Sequence, residues 1–151
     1  MKITTFTLPN LLPYRQKIIL FLRKNGEGRI THRALRWLSQ ISTSDPIPGS
    51  IALIALEEKQ LAGVMIFSRY GIEEAITAVH PRYRKQGVGE ALLMEAKERL
   101  GKVYTKVACD NVASLKLCFR CGFTAFQLFK GPTGKPTLWL GGGEYDPNDI
   151  K

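Results

Sequence analysis

One stretch, Val79-His80-Pro81-Arg82-Tyr83-Arg84-Lys85-Gln86-Gly87-Val88-Gly89-Glu90, limits what this chain can become more than any other. It links a predicted strand, Ile72 to Val79, to a predicted helix, Gly87 to Leu100. Pro81 has no N–H for a sheet ladder and holds His80 extended, so the strand stops there. Arg82, Arg84 and Lys85 follow, then two glycines, then the helix. A helix N-terminus carries unpaired N–H groups and the positive end of the peptide dipole. Gly87 and Gly89 lack a Cβ, so an anion can approach that backbone closely. Residue chemistry alone therefore predicts an anion site, with pyrophosphate as its expected occupant. It is not a P-loop, because no Gly-Lys-Ser/Thr follows. Nor is it a dinucleotide fingerprint, because Leu92 stands where the third glycine belongs.

The rest of the chain supplies a frame for this stretch. Met1 to Leu8 is β-prone and reads as a first strand. Pro9 and Pro13 punctuate the entry to a helix carrying Tyr14, Ile18, Phe21 and Leu22, which Asn25-Gly26 ends. A second helix places Ile30, Ala34, Trp37, Leu38 and Ile41 on one face. Ser42 to Ser50 reads as a loop. Ser50–Leu56 and Leu61–Tyr70 form a predicted hairpin around Glu57-Glu58-Lys59-Gln60, and Ile72–Val79 continues the meander. After the glycine-led helix come a strand, Val103–Cys109, and a helix from Val112 to Cys121 with Asp110 or Asn111 as its cap. Phe123–Phe129 and Thr137–Leu140 are the last strands, and the tail from Gly141 is expected to be loose. The order is β-α-α-β-β-β-α-β-α-β-β, an α+β chain with antiparallel middle strands, read as one domain over residues 1–151.

This frame and its glycine stretch resemble the GNAT superfamily of N-acetyltransferases. Arg84, Gly87 and Gly89 occupy the fixed positions of that family's Arg/Gln-x-x-Gly-x-Gly/Ala signature. Asn111-x-x-Ser114, followed by Gly122-Phe123, is similar to the family's Asn-x-x-Ala/Ser…Gly-Phe segment. The likeness covers Ile51 to Leu140; the first fifty residues match in element order only. It implies a mixed, mostly antiparallel central sheet of seven strands flanked by four helices. It also implies that the sheet opens between its fourth and fifth strands, here Ile72–Val79 and Val103–Cys109, to admit the pantetheine arm of acetyl-CoA.

Several residue roles follow from the resemblance. The backbone at Ala78 and Val79 would pair with pantetheine, and a backbone N–H there would act as the oxyanion donor. Arg84, Lys85, Gln86, Gly87, Val88, Gly89 and Glu90 would hold the pyrophosphate, with Asn111 and Ser114 flanking the cofactor from the second helix. Asn111 also has the simpler role of an N-cap. An amine acceptor must be neutral to attack, and alkylammonium groups have pKa values around 10, so a base is expected. Glu73 and Glu74 lie on the strand leading to Val79, and alternation turns only one of them to the acceptor cleft. Glu73 stands six residues before Val79, the family's offset for a catalytic glutamate. Solvated strand carboxylates are the bland alternative for both, and His80 ranks behind Glu73.

A tyrosine normally protonates the departing thiolate from the second helix, seven residues after the asparagine; here that position is Cys118. A thiol, with a pKa of about 8.5, is a poor acid for this step. Cys118 is expected to pack, leaving water, Tyr83 or Tyr145 as proton donor. The acceptor, a small-molecule or peptide amine, would sit among Glu27, Arg29, His32, Trp37 and the Lys130–Pro136 loop. Trp37 fits a core position better than a pocket one.

Composition leaves two competing readings. Lys and Arg number 22 against 13 acids, a net charge of +9, which suits an anionic cofactor and also a nucleic-acid partner. The basic residues are scattered, and no RNA-binding or helix-turn-helix pattern accompanies them, so nucleic acid is the minority reading. The missing tyrosine motivates the other, a non-catalytic acyl-CoA-binding module. Cys109, Cys118 and Cys121 make an odd count, which argues against a disulfide framework, and Cys118-x-x-Cys121 has no second pair to complete a zinc site, so no metal is expected. No apolar run is long enough to span a bilayer and no signal-peptide pattern is present, which predicts a cytoplasmic protein without membrane contact. A homodimer is left open.

Overall fold

A computed structural model describes residues 1–42 and 47–150. Its strands are β1 (Lys2–Phe6), β2 (Ile51–Glu57), β3 (Gln60–Ser68), β4 (Glu74–Val79), β5 (Lys102–Ala108), β6 (Thr124–Lys130) and β7 (Pro136–Gly143). The α-helices are α1 (Leu8–Leu11), α2 (Arg15–Asn25), α3 (His32–Gln40), α4 (Val88–Leu100) and α5 (Val112–Arg120). Part of the predicted Ser42–Ser50 loop, residues 43–46, lies outside the described residues.

The strands hydrogen-bond in two sets, β1-β2-β3-β4 and β5-β7-β6, with every pairing within them antiparallel. All seven expected strands are present, and the ladder breaks between β4 and β5, where the sequence implied an opening. Alternation along the strands gives each face its own core. Ala52, Ile54, Val64, Ile66, Ile76 and Ala78 pack under α1–α3. Leu53, Ala55, Met65, Phe67, Val103, Val107 and Leu140 pack under α4 and α5.

Four local readings are corrected. Residues 8–11 are a helical turn rather than the end of β1: the Thr7 hydroxyl accepts from Asn10 N–H at 3.3 Å, and Pro9 presets the first turn. The hairpin turn narrows to Glu58-Lys59, both with positive φ (49° and 70°), the backbone of a two-residue turn built without glycine.

The strand expected to reach Tyr70 ends at Ser68, and the next begins at Glu74, so Glu73 lies outside it. Arg69, Tyr70 and Gly71 all take positive φ there, and Tyr70 N–H donates to the Gly49 carbonyl at 2.8 Å. Gly71 is obligatory in this turn: a Cβ on it would come within 1.8 Å of the Tyr104 carbonyl oxygen.

The tail is not loose. β7 runs on to Gly143, opposite Lys102. Beyond it, Asp146 N–H donates to the Tyr104 hydroxyl at 2.8 Å, and that hydroxyl donates to the Asp149 carboxylate, which Lys102 also meets at 3.0 Å.

Candidate active site

β4 and β5 are the edge strands of their sets and touch each other without a shared ladder. The register decides which backbone groups of β4 face that gap. His80 N–H donates to the Ala62 carbonyl at 2.8 Å, and Val79 stands opposite Gly63. In an antiparallel pair this makes Val79 and Gly63 a non-hydrogen-bonded pair, and such pairs alternate along the strand. The N–H groups of Thr77 and Val79 therefore point into the gap, while Ala78 exchanges its bonds with Val64. Of the two expected pantetheine contacts, Val79 turns its N–H into the gap and Ala78 does not; the Thr77 N–H points there as well.

The segment after β4 turns sharply. His80 caps a turn over Pro81–Tyr83 by accepting from Arg82 N–H at 3.1 Å, so it acts structurally. Lys85 (φ 62°) and Gly87 (φ 82°) are both left-handed, and Gln86 between them is not. Such a backbone gathers N–H groups into an anion-binding hollow. α4 starts without a side-chain cap, and its opening bond runs from Ala91 N–H to the Gly87 carbonyl at 3.0 Å, so Val88, Gly89 and Glu90 N–H groups precede the ladder. A Cβ on Gly87 would meet nothing within 4 Å, so the hollow opens outward there. This donor set fits a pyrophosphate.

The side chains of the same segment are used differently from the expectation. The Arg84 guanidinium is engaged within the protein: Nε donates to the Val79 carbonyl at 3.0 Å, NH2 to the Asn25 carbonyl at 3.1 Å, and NH1 to Glu27 at 2.6 Å. It ties the end of β4 to the end of α2. Gln86 donates to the Arg82 carbonyl at 2.9 Å, Glu90 faces Arg120 of α5 at 3.7 Å, and Val88 is buried. Gly89 packs closely against α5, where a Cβ would lie 3.2 Å from the end of the Leu117 side chain. Lys85 is exposed, leaving its ammonium available beside the hollow. Asn111 is the N-cap of α5, its side chain accepting from Ser114 N–H at 3.4 Å, and Ser114 is half-buried on the first turn.

The three candidate side chains for proton transfer separate clearly. Glu73 is held by Ser68, whose hydroxyl donates to it at 2.5 Å, and lies 3.8 Å from Arg69. Glu74 faces the α3 side of the sheet; burial raises its carboxyl pKa against the lowering influence of Arg33 and Lys106. Cys118 is 4% exposed in the α4/α5 core, and burial pushes its thiol up to about 12. A sulfur so placed packs in the core and holds its proton firmly. Cys121, also buried, caps α5 rather than lying within it. Among the described residues, no group of three or more His, Cys, Asp or Glu could hold a metal ion.

The loop between α2 and α3 straps across the gap. Glu27 is fixed to Arg84 at the end of β4. Arg29 reaches Asp110, just beyond β5, at 2.9 Å, and Lys135 from the β6–β7 loop meets the other Asp110 oxygen at 2.9 Å. The residues expected to surround the acceptor are thus joined by ion pairs, except His32 and Trp37. His32 lines a depression between α2 and α3 with Arg23 and Arg36, and Trp37 packs on the helical core. Sequence reading missed Lys106 and Trp139, which face each other across β5 and β7 with the Lys106 ammonium 5.3 Å from the ring centre. Only the register exposes that pair.

Known proteins share this fold. The acetyltransferase (GNAT) family model matches residues 20–123. Solved structures with the same fold include the aminoglycoside 6'-N-acetyltransferase from Enterococcus faecium (TM-score 0.68, 16% identity, covering 97% of this chain and 98% of that one). The ribosomal-protein-S18-alanine N-acetyltransferase from Escherichia coli is also similar (TM-score 0.66, 17% identity, 97% and 98%). A chain described as a streptothricin acetyltransferase from Bacillus anthracis, solved with acetyl coenzyme A, aligns over 66% of this chain and 65% of its own (TM-score 0.55, 23% identity). No curated protein matches the chain in sequence. With more than half its length under the family model, the ladder broken between β4 and β5, and the glycine hollow at the head of α4, the chain belongs to the GNAT family of acetyltransferases, whose acyl donor is acetyl-CoA.

Proposed function

We propose that the protein transfers the acetyl group of acetyl-CoA directly to a primary amine, as a single domain over residues 1–151. The observation that carries this is the conjunction of the outward-opening hollow at Lys85–Glu90 with the gap-facing N–H of Val79, one turn of chain away. The donor supplies an activated acetyl thioester. Its pyrophosphate rests on the backbone N–H groups from Gln86 to Glu90 with Lys85 beside it, and Asn111 and Ser114 flank it from α5. Arg84 acts indirectly, by fixing the Val79 carbonyl and hence the peptide plane beyond it.

The amine nitrogen attacks the acyl carbon; an N–C bond forms, the C–S bond breaks, and the ammonium proton leaves to a base. Glu74 is that base. Its raised pKa brings it closer to the amine's, which makes proton uptake easier than for an ordinary carboxylate. Glu73, held by Ser68 and Arg69, positions the turn that starts β4. Val79 N–H donates to the developing oxyanion. The leaving thiolate takes its proton from water, because Tyr83 already donates to Gln60 at 3.0 Å and Tyr145 is stacked on Phe126. The described helices include none long and apolar enough to cross a membrane, and the cysteines are unpaired; we assign the protein to the cytoplasm.

Calorimetric titration with acetyl-CoA, dephospho-CoA and ATP tests the donor site, followed by an amine screen for turnover. Saturable binding that prefers acetyl-CoA, with release of free thiol on adding an amine, is the expected result. Equal affinity for ATP would discard the donor assignment, and cofactor binding without any turnover would leave a sensing module.

A further inference from the structure

The acceptor side of the cleft carries a charge pattern that narrows the substrate. This inference rests on the acetyltransfer reading above. α2 and α3 cover the β2–β4 half of one sheet face, and the same face of β5-β7-β6 continues beyond them as a shelf. Beneath it Trp139, 8% exposed, stacks on Phe129 with centroids 6.2 Å apart, and the exposed Lys106 side chain covers it with the ammonium 5.3 Å from the ring centre.

Cations are in excess of carboxylates along the shelf. Asp110 is shared by Arg29 and Lys135, both at 2.9 Å. Glu74 lies in the field of Arg33 and Lys106, neither of which has a carboxylate within 4.0 Å among the described residues, and the other carboxylate in that field, Glu73, is met by Arg69 at 3.8 Å. A diamine or polyamine would bring more positive charge to a rim already in excess of it. An acid group would neutralise that excess, while the same cations favour the neutral, attacking form of the amine.

We propose that the acceptor is an amine that also carries an acid group, a carboxylate or a phosphate. That group seats between Lys106 and the Arg29–Lys135 pair, while the amine lies at the gap and passes its proton to Glu74 through water. Lys106 is the specificity-determining residue, because its exposed ammonium is held over the Trp139 ring on the strand that borders the gap. When Glu74 takes the proton, the rim becomes more positive still and holds the acid group more firmly.

Matched acceptors test this directly. Initial rates are measured with 6-aminohexanoate, its amide and cadaverine, and with O-phosphoethanolamine against ethanolamine, at low and high ionic strength. The expected result is a kcat/KM for at least one acid about 10-fold or more above its uncharged partner, with cadaverine lowest. That ratio should collapse toward one in Lys106→Met and at high salt, and return in Lys106→Arg; the pair that shows it identifies carboxylate or phosphate. Equal rates, a preference for the amide or the diamine, a ratio unmoved by Lys106→Met, or no turnover of either acid overturns the proposal. Calorimetry with acetyl-CoA separates the two failures: intact binding without acid preference refutes this inference alone, whereas lost binding strikes the reading beneath it.

Discussion

The proposed donor half and the proposed acceptor half of this cleft are built from different materials. The donor half is backbone: N–H groups of the five consecutive residues Gln86 to Glu90, and the edge of one strand. The acceptor half is side chain, brought from the α2–α3 loop, α3, β5, the β5–α5 loop and the β6–β7 loop, and held by exposed ion pairs. A backbone site is fixed once its turn is fixed, and a contiguous segment fixes it. A side-chain site depends on every element that contributes, so it can change partner chemistry without disturbing the fold.

The sharpest way to break the comparison is at the donor half. Gly87→Asp should weaken acetyl-CoA binding by about 100-fold or more, since it sets a carboxylate against the pyrophosphate. The left-handed backbone adds about 1–2 kcal/mol of destabilisation, readable by denaturant unfolding. Near-normal affinity in the folded variant would move the donor elsewhere. Next in size, Glu74→Gln should lower kcat by about 100-fold with the acetyl-CoA dissociation constant unchanged, whereas Glu73→Gln should act mainly on stability. The reverse ranking would return the base to Glu73.

The Glu74 titration has a definite sign. Burial raises its folded pKa above the unfolded value, so its ionised form disfavours the fold. Glu74→Gln should therefore raise the melting temperature at neutral pH, and the gain should vanish as the medium is acidified below the ordinary carboxylate range. The activity profile runs the other way, with kcat falling as pH drops through the raised pKa. A stabilisation independent of pH would contradict this assignment.

Two smaller tests sharpen the division. Cys118→Ala should cost about 1 kcal/mol of stability and leave kcat within about two-fold, as befits a packed sulfur. A large loss of kcat would restore the acid role. Asp110→Asn should change stability by less than about 1 kcal/mol, because both its ion pairs are exposed. Its effect should appear instead in the acceptor KM.

The same division explains what could be read from the sequence. The element order and the anion hollow came from local signals: Pro81 ending a strand, Gly87 and Gly89 opening a helix, and helical spacing under α4. Asn111 was legible both as a cap and as part of a motif. The short helix at Leu8–Leu11 was hidden behind β-prone residues, because one turn is too short to show a period. The end of β3 was misjudged because Arg69 and Tyr70 have no local preference for left-handed backbone; contact with Gly49 and Tyr104 imposes it. Arg84 matched a signature while its guanidinium serves Val79, Asn25 and Glu27. Lys106 and Trp139 are 33 positions apart, and nothing short of the β5–β7 register brings them together.

The order β5-β7-β6 also has a consequence for how the chain is made. The central strand of that set is the latest of the three in the sequence, so β5 and β6 have no partner until Pro136–Gly143 emerges during synthesis. The ladder of the four-stranded set is complete at Val79, and α4, which covers one of its faces, follows at once, so that half can form while the remainder is still being translated. Until β7 arrives, the nascent chain carries α4 and α5 with part of their core uncovered, and Leu138 and Leu140 are the residues whose arrival closes it. A ribosome stalled within the last turn before β7 should thus display a protease-resistant amino-terminal half joined to a cleavable remainder, with full protection acquired in a single late step.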